Sequence, residues 1–535
     1  MERLVISNFK LGWISEDQWS KTDFDPAAAS NCRDVEFTPR GTVTIRGGTK
    51  VLTQGASSLD TAFIRIYQWQ NSDQSDFTLG FTCASGSRAA SAYTITTSGG
   101  GQAVLTAIQR GKDAWSPSVS GWVSCCSYAG SAVFTFSDTH TLSGRATDLS
   151  DTAALSAHVF NSPMGAKVVE SCTNYLFFGN VISMDDNVTR SGSRVYFNSN
   201  NSITTWPASY YIDLDRDDGD SITAMKTFQD KLVVFKNNKM FLIYWVGGKL
   251  LWNYQRITTS IGCVGANAVV EFNGILYWMH NTGIYSFDGN GAPKEISSQI
   301  KPVVTGLSPL VLSQTQAMAR CDRGQIWFAL PYQGDEVVYS YRNCSVIVYD
   351  IELQNWTKFG FPAAALGKVR LGSNYTYADF PLSYSEYSTN PIGAYGSNSA
   401  ETILYGTYDG KLHEFSTIYT TDDGTAIAAY WVSPWIDFGN PDINKRMTRV
   451  TAWIQKDRDN VANFVTYGDW NPNTIVHNET FALTGTDGQV DENRADFTHY
   501  ARALKFMLSA DTASASQWNL HKIVTQYFNK GRTKV

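Results

Sequence analysis

One structural plan recurs in the middle of this chain, and it limits the possible folds more than any other feature. Four short alternating segments joined by tight turns follow one another in Ser221–Thr258, again in Gly265–Ile300 and again in Met318–Phe361. Turn pairs such as Asn273-Gly274 and Asp288-Gly289 separate the segments. Four short strands that restart after roughly 40 to 50 residues are typical of β-propeller blades. The sequence therefore predicts an all-β protein on a propeller scaffold.

The propeller is predicted to occupy residues 61–420, with six to eight four-stranded blades. Weaker strand modules begin at Ala62, and a clearer one has strands at Lys167–Glu170, Tyr175–Gly179, Arg194–Asn198 and Ile203–Trp206. Two hairpin links, Asn237-Asn238 and Asn273-Gly274, are predicted to place residues in the left-handed region of backbone space, because tight two-residue turns require positive φ.

Two further segments flank the propeller. Residues 421–535 have longer, more widely spaced strand patterns and are predicted to form a C-terminal β-sandwich. Residues 1–60 form an N-terminal segment with a β-hairpin at 31–48. Because a lone hairpin is marginally stable in water, this segment is expected to pack on the C-terminal domain or on a neighbouring subunit.

Bulk composition narrows the classes of function. The chain of 535 residues has 43 basic and 49 acidic side chains, a net charge of −6, and no run of Lys and Arg longer than two. Binding of nucleic acid by a basic surface patch is therefore not expected. The eight cysteines are scattered without a CxxC pair, and the N-terminus has no secretory apolar region, so synthesis in a reducing cytoplasm is expected.

An acidic cluster invites comparison with a calcium-binding loop. Asp213, Asp215 and Asp217 alternate ahead of Gly219. The glycine stands one place late, however, and Ala224 occupies the position of the closing bidentate glutamate. An acidic turn between blades is the favoured interpretation, and cation binding at the three aspartates stays open.

Catalytic motifs are missing. The chain has no H-E-x-x-H, no G-x-S-x-G and no phosphate-binding glycine loop, and its aromatic residues are interpreted as core. Glycoside cleavage needs only two carboxylates, which Asp350, Glu352 or Asp409 could supply. We predict no catalytic residues, no cofactor and no metal. No two of the seven histidines stand at metal-ligand spacing. They are His140, His158, His280, His413, His477, His499 and His521.

Three segments resemble tailed-phage structural proteins. Residues 31–48 read NCRDVEFTPRGTVTIRGG, residues 217–244 read DDGDSITAMKTFQDKLVVFKNNKMFLIY, and residues 261–289 read IGCVGANAVVEFNGILYWMHNTGIYSFDG. Together they resemble the propeller-containing tail nozzle proteins of short-tailed phages. The resemblance is good over residues 217–300 and weaker over the first 50.

This resemblance implies a structural role in the virion. It implies a subunit of a homo-oligomeric ring, a hexamer, at the distal end of the tail, bound to a head-to-tail adaptor protein and to fibres or spikes. Genomic DNA would pass through the ring without specific binding. The alternative is a receptor-binding or glycan-cleaving propeller, either a tailspike-like protein or a glycosidase.

Overall fold

The structure is a computed structural model and is built almost entirely of β-strands. A short α-helix, α1 (Lys301–Thr305), follows a 3-10 turn at Ser298–Ile300, and a second 3-10 turn spans Leu312–Gln314. No helix in the described part of the chain is long and apolar enough to cross a membrane. The described residues are 2–15, 25–52, 61–70, 76–84, 90–97, 103–107, 109–110, 123–128, 131–136, 147–151, 156–159, 166–182, 190–202, 205–248, 250–308, 312–330, 345–370, 401–456, 460–483, 488–511 and 517–529.

The first five strands belong to the N-terminal segment and do not form a sheet of their own. Strands β3 and β4 pair with each other as a hairpin, and β1, β2, β4 and β5 pair with strands that are distant in sequence, so the segment is held by long-range contacts. The strands are β1 (Glu2–Ser7), β2 (Asn31–Arg33), β3 (Val35–Phe37), β4 (Val43–Ile45) and β5 (Gly48–Val51).

Seven sheets follow along the described chain, and they are the blades of a propeller. The first two blades carry the weaker sequence patterns, and blade 3 carries the clearer one. Blade 1 contains β6 (Thr61–Gln70), β7 (Asp76–Ala84), β8 (Ala90–Thr97) and β9 (Ala103–Ala107). Blade 2 contains β10 (Gln109–Arg110), β11 (Val123–Tyr128), β12 (Ser131–Phe136), β13 (Thr147–Asp151) and β14 (Ser156–Val159). Blade 3 contains β15 (Ala166–Cys172), β16 (Tyr175–Ile182), β17 (Arg190–Phe197) and β18 (Tyr211–Asp213).

The next three blades are the repeats that define the sequence pattern, and each is a four-stranded antiparallel meander as predicted. Blade 4 contains β19 (Ile222–Phe228), β20 (Lys231–Lys236), β21 (Met240–Gly247) and β22 (Leu251–Thr258). Blade 5 contains β23 (Val269–Phe272), β24 (Ile275–His280), β25 (Gly283–Phe287) and β26 (Lys294–Glu295). Blade 6 contains β27 (Gln316–Arg320), β28 (Gln325–Leu330), β29 (Ser345–Asp350) and β30 (Asn355–Phe359).

Blade 7 is completed by the N-terminal segment. Its own strands β31, β32 and β33 pair in order, and β5 adds antiparallel to β33 as the fourth strand. The N-terminal segment is thereby joined to the last blade by main-chain hydrogen bonds. The strands are β31 (Ala365–Val369), β32 (Thr402–Gly406) and β33 (Leu412–Ser416), with the short β34 (Thr421–Asp422) and β35 (Thr425–Ala426) beyond β5.

The inner strands close a ring. Strand β6 contacts β11, and the contacts continue through β15, β19, β23, β27 and β31 back to β6. This closure establishes radial blades rather than two facing sheets, and the count of seven lies within the predicted range of six to eight. The all-β propeller class predicted from the sequence is confirmed.

The remaining strands form two sheets that include N-terminal strands. One sheet has the order β3-β4-β42-β37-β40, with β1 also paired to β42, and the other has the order β2-β36-β41-β38-β39. The hairpin strands β3 and β4 thus lie together in the first sheet, and β2, which precedes them, lies in the second, each sheet including C-terminal strands. The strands are β36 (Tyr430–Val432), β37 (Lys445–Lys456), β38 (Asn460–Gly468), β39 (Ile475–Leu483), β40 (Val490–Ala501), β41 (Leu504–Ala510) and β42 (Trp518–Asn529).

A single hydrophobic cluster connects the parts of the molecule. It includes Phe235 and Trp278 of blades 4 and 5, Phe37 of the N-terminal segment, and Trp431 and Phe506 of the C-terminal sheets. All five side chains are nearly or wholly buried. The prediction that the tryptophans at 278 and 431 are core residues is confirmed, although Trp431 packs beside the C-terminal sheets and not between blades.

Local turn chemistry agrees with the prediction at one hairpin and differs at another. Asn273 and Gly274 have φ values of 51° and 73°, as a two-residue left-handed turn requires. Asn237 and Asn238 do not have positive φ. Their turn is held instead by the carboxylate of Asp220, which accepts hydrogen bonds from both backbone amides at 3.0 and 3.1 Å. A side chain from outside the hairpin therefore replaces the predicted backbone conformation.

The predicted last strand of blade 3 is wrong. The sequence pattern favours Ile203–Trp206, but residues 203–204 lie outside the described residues and 205–206 are not in a strand. The fourth strand is Tyr211–Asp213, which follows a turn at Pro207 in which the amide of Tyr210 bonds the carbonyl of Pro207. Proline lacks the amide proton that a ladder needs, so the strand begins after it.

Candidate functional site

The inner strands of blades 1 to 4 carry a polar cluster close to the axis of the propeller. The cluster consists of Arg65 and Tyr67 on β6, Cys125 on β11, Glu170 on β15 and Lys226 on β19. Strand β15 is otherwise mostly apolar and buried, which makes Glu170 the exception in its strand. Because the inner strands of consecutive blades are in contact, these side chains are brought together from positions more than 100 residues apart in sequence.

Hydrogen bonds and an ion pair connect parts of the cluster. The ammonium of Lys226 lies 3.5 Å from a carboxylate oxygen of Glu170, and the Lys226 side chain is 35% exposed against 11% for Glu170. The hydroxyl of Tyr67 lies 2.8 Å from that of Ser127. The Nε atom of Arg65 is buried and has no hydrogen-bond partner among the described residues. An unsatisfied buried donor costs folding free energy, and this N–H is free to donate a hydrogen bond to a ligand oxygen.

Burial dominates the electrostatics of these groups. It raises the pKa of Glu170, and the opposing effects of Lys226 and Thr227 do not cancel it. Burial lowers the pKa of Arg65, and it raises the pKa of Cys125 to about 12. Glu170 therefore keeps its proton to a higher pH than a solvated carboxyl group does. A protonated carboxyl beside cationic groups can act as a proton donor to a bound ligand.

The sequence patterns do not single out this cluster. Glu170 appears in them only as the end of a predicted strand, Lys167–Glu170. The available signal was an acidic residue within an apolar strand of a predicted blade, since such a residue must be paired or functional when it is buried. The partners on other blades could not be inferred, because their proximity depends on ring closure.

The structure uses the acidic cluster at 213–220 for ion pairs. Asp213 accepts two hydrogen bonds from the guanidinium of Arg194, at 2.7 and 2.8 Å. Asp215 accepts one from Arg256 at 2.9 Å. Asp217 is largely exposed beside Arg216. Within the described residues, no three His, Cys, Asp or Glu side chains are grouped as metal ligands would be.

Asp218 makes the strongest contacts of this cluster. Its two oxygens lie 2.9 and 2.8 Å from the ammonium of Lys236, a fully buried side chain, and one oxygen also accepts from Lys239. Burial alone would raise the pKa of Asp218, but the hydrogen bonds from the two lysines lower it to about 2. The acidic turn is therefore neutralised by basic side chains of blades 3 and 4.

The three carboxylates considered for glycoside cleavage lie in or next to turns of two blades. Asp350 is the last residue of β29 and accepts a hydrogen bond from the amide of Leu353, and Glu352 lies in the link between β29 and β30. Asp409 lies in the link between β32 and β33, where it accepts from Thr407 and pairs with Lys411. Asp350 and Asp409 thus have hydrogen-bond partners close by in the chain, and Glu352 is exposed in its turn.

The described histidines have varied surroundings. His280 is buried beside Thr282, His413 stacks on Tyr405, and His477 lies 3.0 Å from Glu479. Burial lowers the pKa of His280 and His413, which favours the neutral ring. His140 and the side chain of His158 lie outside the described residues.

Comparison with known proteins gives matches to solved structures only. No family model matches the sequence, and no curated protein matches it. An exo-β-1,3-galactanase from Phanerochaete chrysosporium matches over 90% of this chain and 100% of its own, with 9% identity and a TM-score of 0.28. An α-L-arabinanase from Penicillium chrysogenum matches over 58% and 99%, with 10% identity and a TM-score of 0.33. A glycoside hydrolase family 43 arabinoxylan arabinofuranohydrolase from Bacillus subtilis matches over 90% and 99%, with 9% identity and a TM-score of 0.25.

The prediction that this protein is not an enzyme is not upheld: the three matched structures are named as glycan-processing enzymes, and what they share with this chain is the fold. The prediction relied on missing sequence motifs. Carboxylates used in glycoside cleavage can come from strands that are distant in sequence, so the lack of a local motif does not exclude them. The prediction of no catalysis is therefore withdrawn. At such low identity the matches bear on the fold alone.

Proposed function

We propose that the protein is a glycan-directed propeller, which binds a saccharide at the inner-strand cluster and hydrolyses it: Glu170 protonates the leaving-group oxygen, while a water molecule attacks the anomeric carbon and loses its proton to solvent. The observation that carries this proposal is the buried Glu170 carboxyl, whose pKa is raised by burial on an inner strand. A general acid must be protonated at the working pH, and burial achieves this. Arg65 offers an unsatisfied donor nearby for a ligand oxygen.

The proposal is tested with purified protein and a panel of plant and bacterial polysaccharides, by measuring new reducing ends. Glu170→Gln keeps the shape of the side chain and removes its acidity, so cleavage is expected to fall by about 100-fold or more. Glu352→Gln is the matched control, because Glu352 is an exposed turn carboxylate. Equal activity of the Glu170→Gln variant and the wild type would overturn the proposal, as would a lack of cleavage across the whole panel.

A tail nozzle subunit of a short-tailed phage is the second candidate. What supports it is the sequence resemblance of three segments, which also lie close together in the fold. Residues 217–244 and 261–289 form most of blades 4 and 5, and residues 31–48 supply Phe37 and Val43 to the same hydrophobic cluster as Phe235 and Leu276. The segments thus constitute one contiguous region. In this role the chain would form a hexameric ring with an adaptor protein and fibres as partners, in the virion.

Electron microscopy of intact particles tests this second candidate. Six copies around the axis at the far end of a short tail are expected. A trimeric spike at the periphery of the tail, or absence of the chain from particles, would reject the nozzle role. The spike outcome would leave the glycan-directed function in place, so the two candidates can be separated.

A further inference from the structure

The inner strands of the propeller carry more basic than acidic residues, although the whole chain has 43 basic and 49 acidic side chains. Arg320 and Lys368 are each paired with a carboxylate that lies outside the inner strands. Among the described residues, Arg65 has no salt-bridge partner, and its Nε atom has no hydrogen-bond partner. The basic residues of these strands are Arg65, Lys167, Lys226, Arg320 and Lys368, and the acidic ones are Glu170 and Glu271.

The alternation of side chains along β6 places Arg65 at the junction of blades 1 and 2. Ile66 faces blade 7, because a Cβ atom on Gly367 of β31 would meet its side chain. Neighbouring residues of a strand point to opposite faces, so Arg65 and Tyr67 face blade 2. The hydroxyl of Tyr67 agrees with this orientation, since it lies 2.8 Å from that of Ser127 on β11.

Arg65 is accessible from the axis of the propeller. It lies in the middle of β6, which contacts β7 on its outer side and β11 and β31 on its flanks. The residue is only partly buried, so among the described strands its open side is the one towards the axis. A guanidinium keeps its charge in proteins, and a cation without a counter-ion costs folding free energy where it is shielded from water. An anionic ligand that enters along the axis would supply the missing partner.

The groups near Arg65 also favour an anionic ligand. Glu170 and Lys226 meet at the junction of blades 3 and 4, and the carboxyl of Glu170 is close enough to Arg65 to act on its pKa. Because burial raises the pKa of Glu170, this carboxyl is a poorer counter-ion than a solvated one. The protonated carboxyl, the phenol of Tyr67 and the ammonium of Lys226 all donate hydrogen bonds. The cluster therefore fits a ligand that is rich in acceptors and negatively charged.

We propose that the inner-strand cluster takes acidic saccharides, with Arg65 binding the carboxylate of a hexuronate unit. The inference rests on the glycan-directed function and names its substrate class. A guanidinium and a carboxylate can form two parallel hydrogen bonds. A hexuronate carries its carboxylate and its glycosidic oxygens on different atoms of one ring, so a single unit can engage Arg65 and Glu170 together. Nucleic acid is disfavoured as the anion, because the chain has a net charge of −6 and no run of Lys and Arg longer than two.

Isothermal titration of the full chain with short oligosaccharides of galacturonate and of glucuronate tests this inference. Each is compared with its methyl ester, which keeps the sugar stereochemistry and removes the charge. Wild type is expected to bind at least one of the two acids, about tenfold or more tightly than its ester, and to bind it more weakly at high salt. A short single-stranded DNA is titrated in parallel.

Variants of Arg65 identify the group that binds the carboxylate. Arg65→Met keeps much of the apolar stem, and the affinity for the acid is expected to fall by about tenfold to a hundredfold, to the level of the ester. Arg65→Lys keeps the charge but not the planar donor pair and is expected to recover part of the affinity. Arg216→Met is the matched control, because the Arg216 side chain is 68% exposed in the acidic turn, outside the cluster.

The melting temperature gives a second readout that needs no ligand. Because Arg65 has no counter-ion among the described residues, Arg65→Met leaves no buried carboxylate unpaired and should not lower the melting temperature. A marked loss of stability would show that Arg65 is held by a structural ion pair, and it would overturn the inference.

The binding outcomes separate this inference from the proposed function. Equal binding of acid and ester, or binding of neither, would overturn the inference, and cleavage of a neutral polysaccharide that depends on Glu170 would still stand. Arg65-dependent binding of the acid without new reducing ends would reject cleavage but keep the inference. Binding of the DNA alone, lost in Arg65→Met, would assign the cluster to nucleic acid and overturn the inference.

Discussion

The guanidinium of Arg46 donates two hydrogen bonds to the carboxylate of Asp422, a residue 376 positions away in the chain, at 3.0 and 2.6 Å. The Nε atom of Arg46 bonds Asp34 at 2.6 Å. Arg46 is 1% exposed and Asp34 is 3% exposed. Asp34 also accepts a hydrogen bond from the amide of Gly360, directly after blade 6. Arg46 and its partner Asp34 therefore link the N-terminal segment to the residues before and after the strands of blade 7.

Arg46→Met is expected to destabilise the protein strongly. The substitution keeps much of the apolar stem but leaves the buried Asp34 carboxylate with only the half-exposed Arg33, 3.3 Å away, and removes the cation from Asp422. Breaking a buried pair in this way costs about 3 to 5 kcal/mol. Chemical denaturation followed by tryptophan fluorescence measures the free energy of unfolding. Arg40→Met is the control, because Arg40 is exposed in the same hairpin and should change stability by less than about 0.5 kcal/mol. Similar losses in both variants would contradict the assignment.

Asp218→Asn is expected to destabilise blade 4. The neutral amide cannot balance the ammonium of Lys236, which is fully buried, and the expected cost is about 3 kcal/mol. The control is Asp217→Asn, since the Asp217 side chain is 87% exposed.

The pH dependence of this pair has a definite sign. The folded pKa of Asp218 is lowered to about 2, from a usual 3.8, by its two lysines. The stabilisation is therefore fully present above pH 3.8 and is lost as the pH falls towards 2. Denaturation curves of wild type and Asp218→Asn should converge at acid pH. A difference that stays constant across this range would argue against the ion pair as the cause.

Local features were predictable from the sequence, and features that depend on ring closure were not. Turn pairs and alternating strands identified blades 4 to 6 because both signals act over a few residues. The pairing of β5 with β33 joins residues 48–51 to 413–416, and no local pattern encodes it. The same limit applies to Arg46 with Asp422, and to the cluster around Glu170. In each case, residues that are far apart in sequence become neighbours only when the propeller closes.

Gly274→Val is expected to lower stability although the site has room for a side chain. Apart from the chain neighbours of Gly274, no heavy atom lies within 4 Å of the position that a Cβ atom would take, so crowding is not the cause. Its φ of 73° is unfavourable for a β-branched residue, and the expected cost is about 1 to 3 kcal/mol. Asn253→Val on exposed strand β22 is the control, because valine suits a strand. Thermal unfolding measures both variants, and an unchanged melting temperature for Gly274→Val would be inconsistent with the left-handed turn.

The buried carboxyl of Glu170 makes a prediction that is independent of any substrate. Its folded pKa is raised by burial above the usual 4.5, so the folded protein holds this proton more tightly than the unfolded chain does. The contribution to stability is present below the unfolded pKa and is lost as the pH rises through the folded pKa. Glu170→Gln does not titrate at this position. The variant is therefore expected to gain stability relative to wild type as the pH rises above the usual pKa of 4.5 and through the folded pKa.

Denaturation at several pH values tests this expectation, with Glu352→Gln as the control for a solvated carboxylate. The difference between Glu170→Gln and wild type should grow with pH, whereas the difference for Glu352→Gln should stay flat. If Lys226 instead held Glu170 as a stable anion, the difference would run the other way, and wild type would gain on the variant with rising pH. That result would remove Glu170 as a proton donor, because a permanently ionised carboxylate has no proton to give.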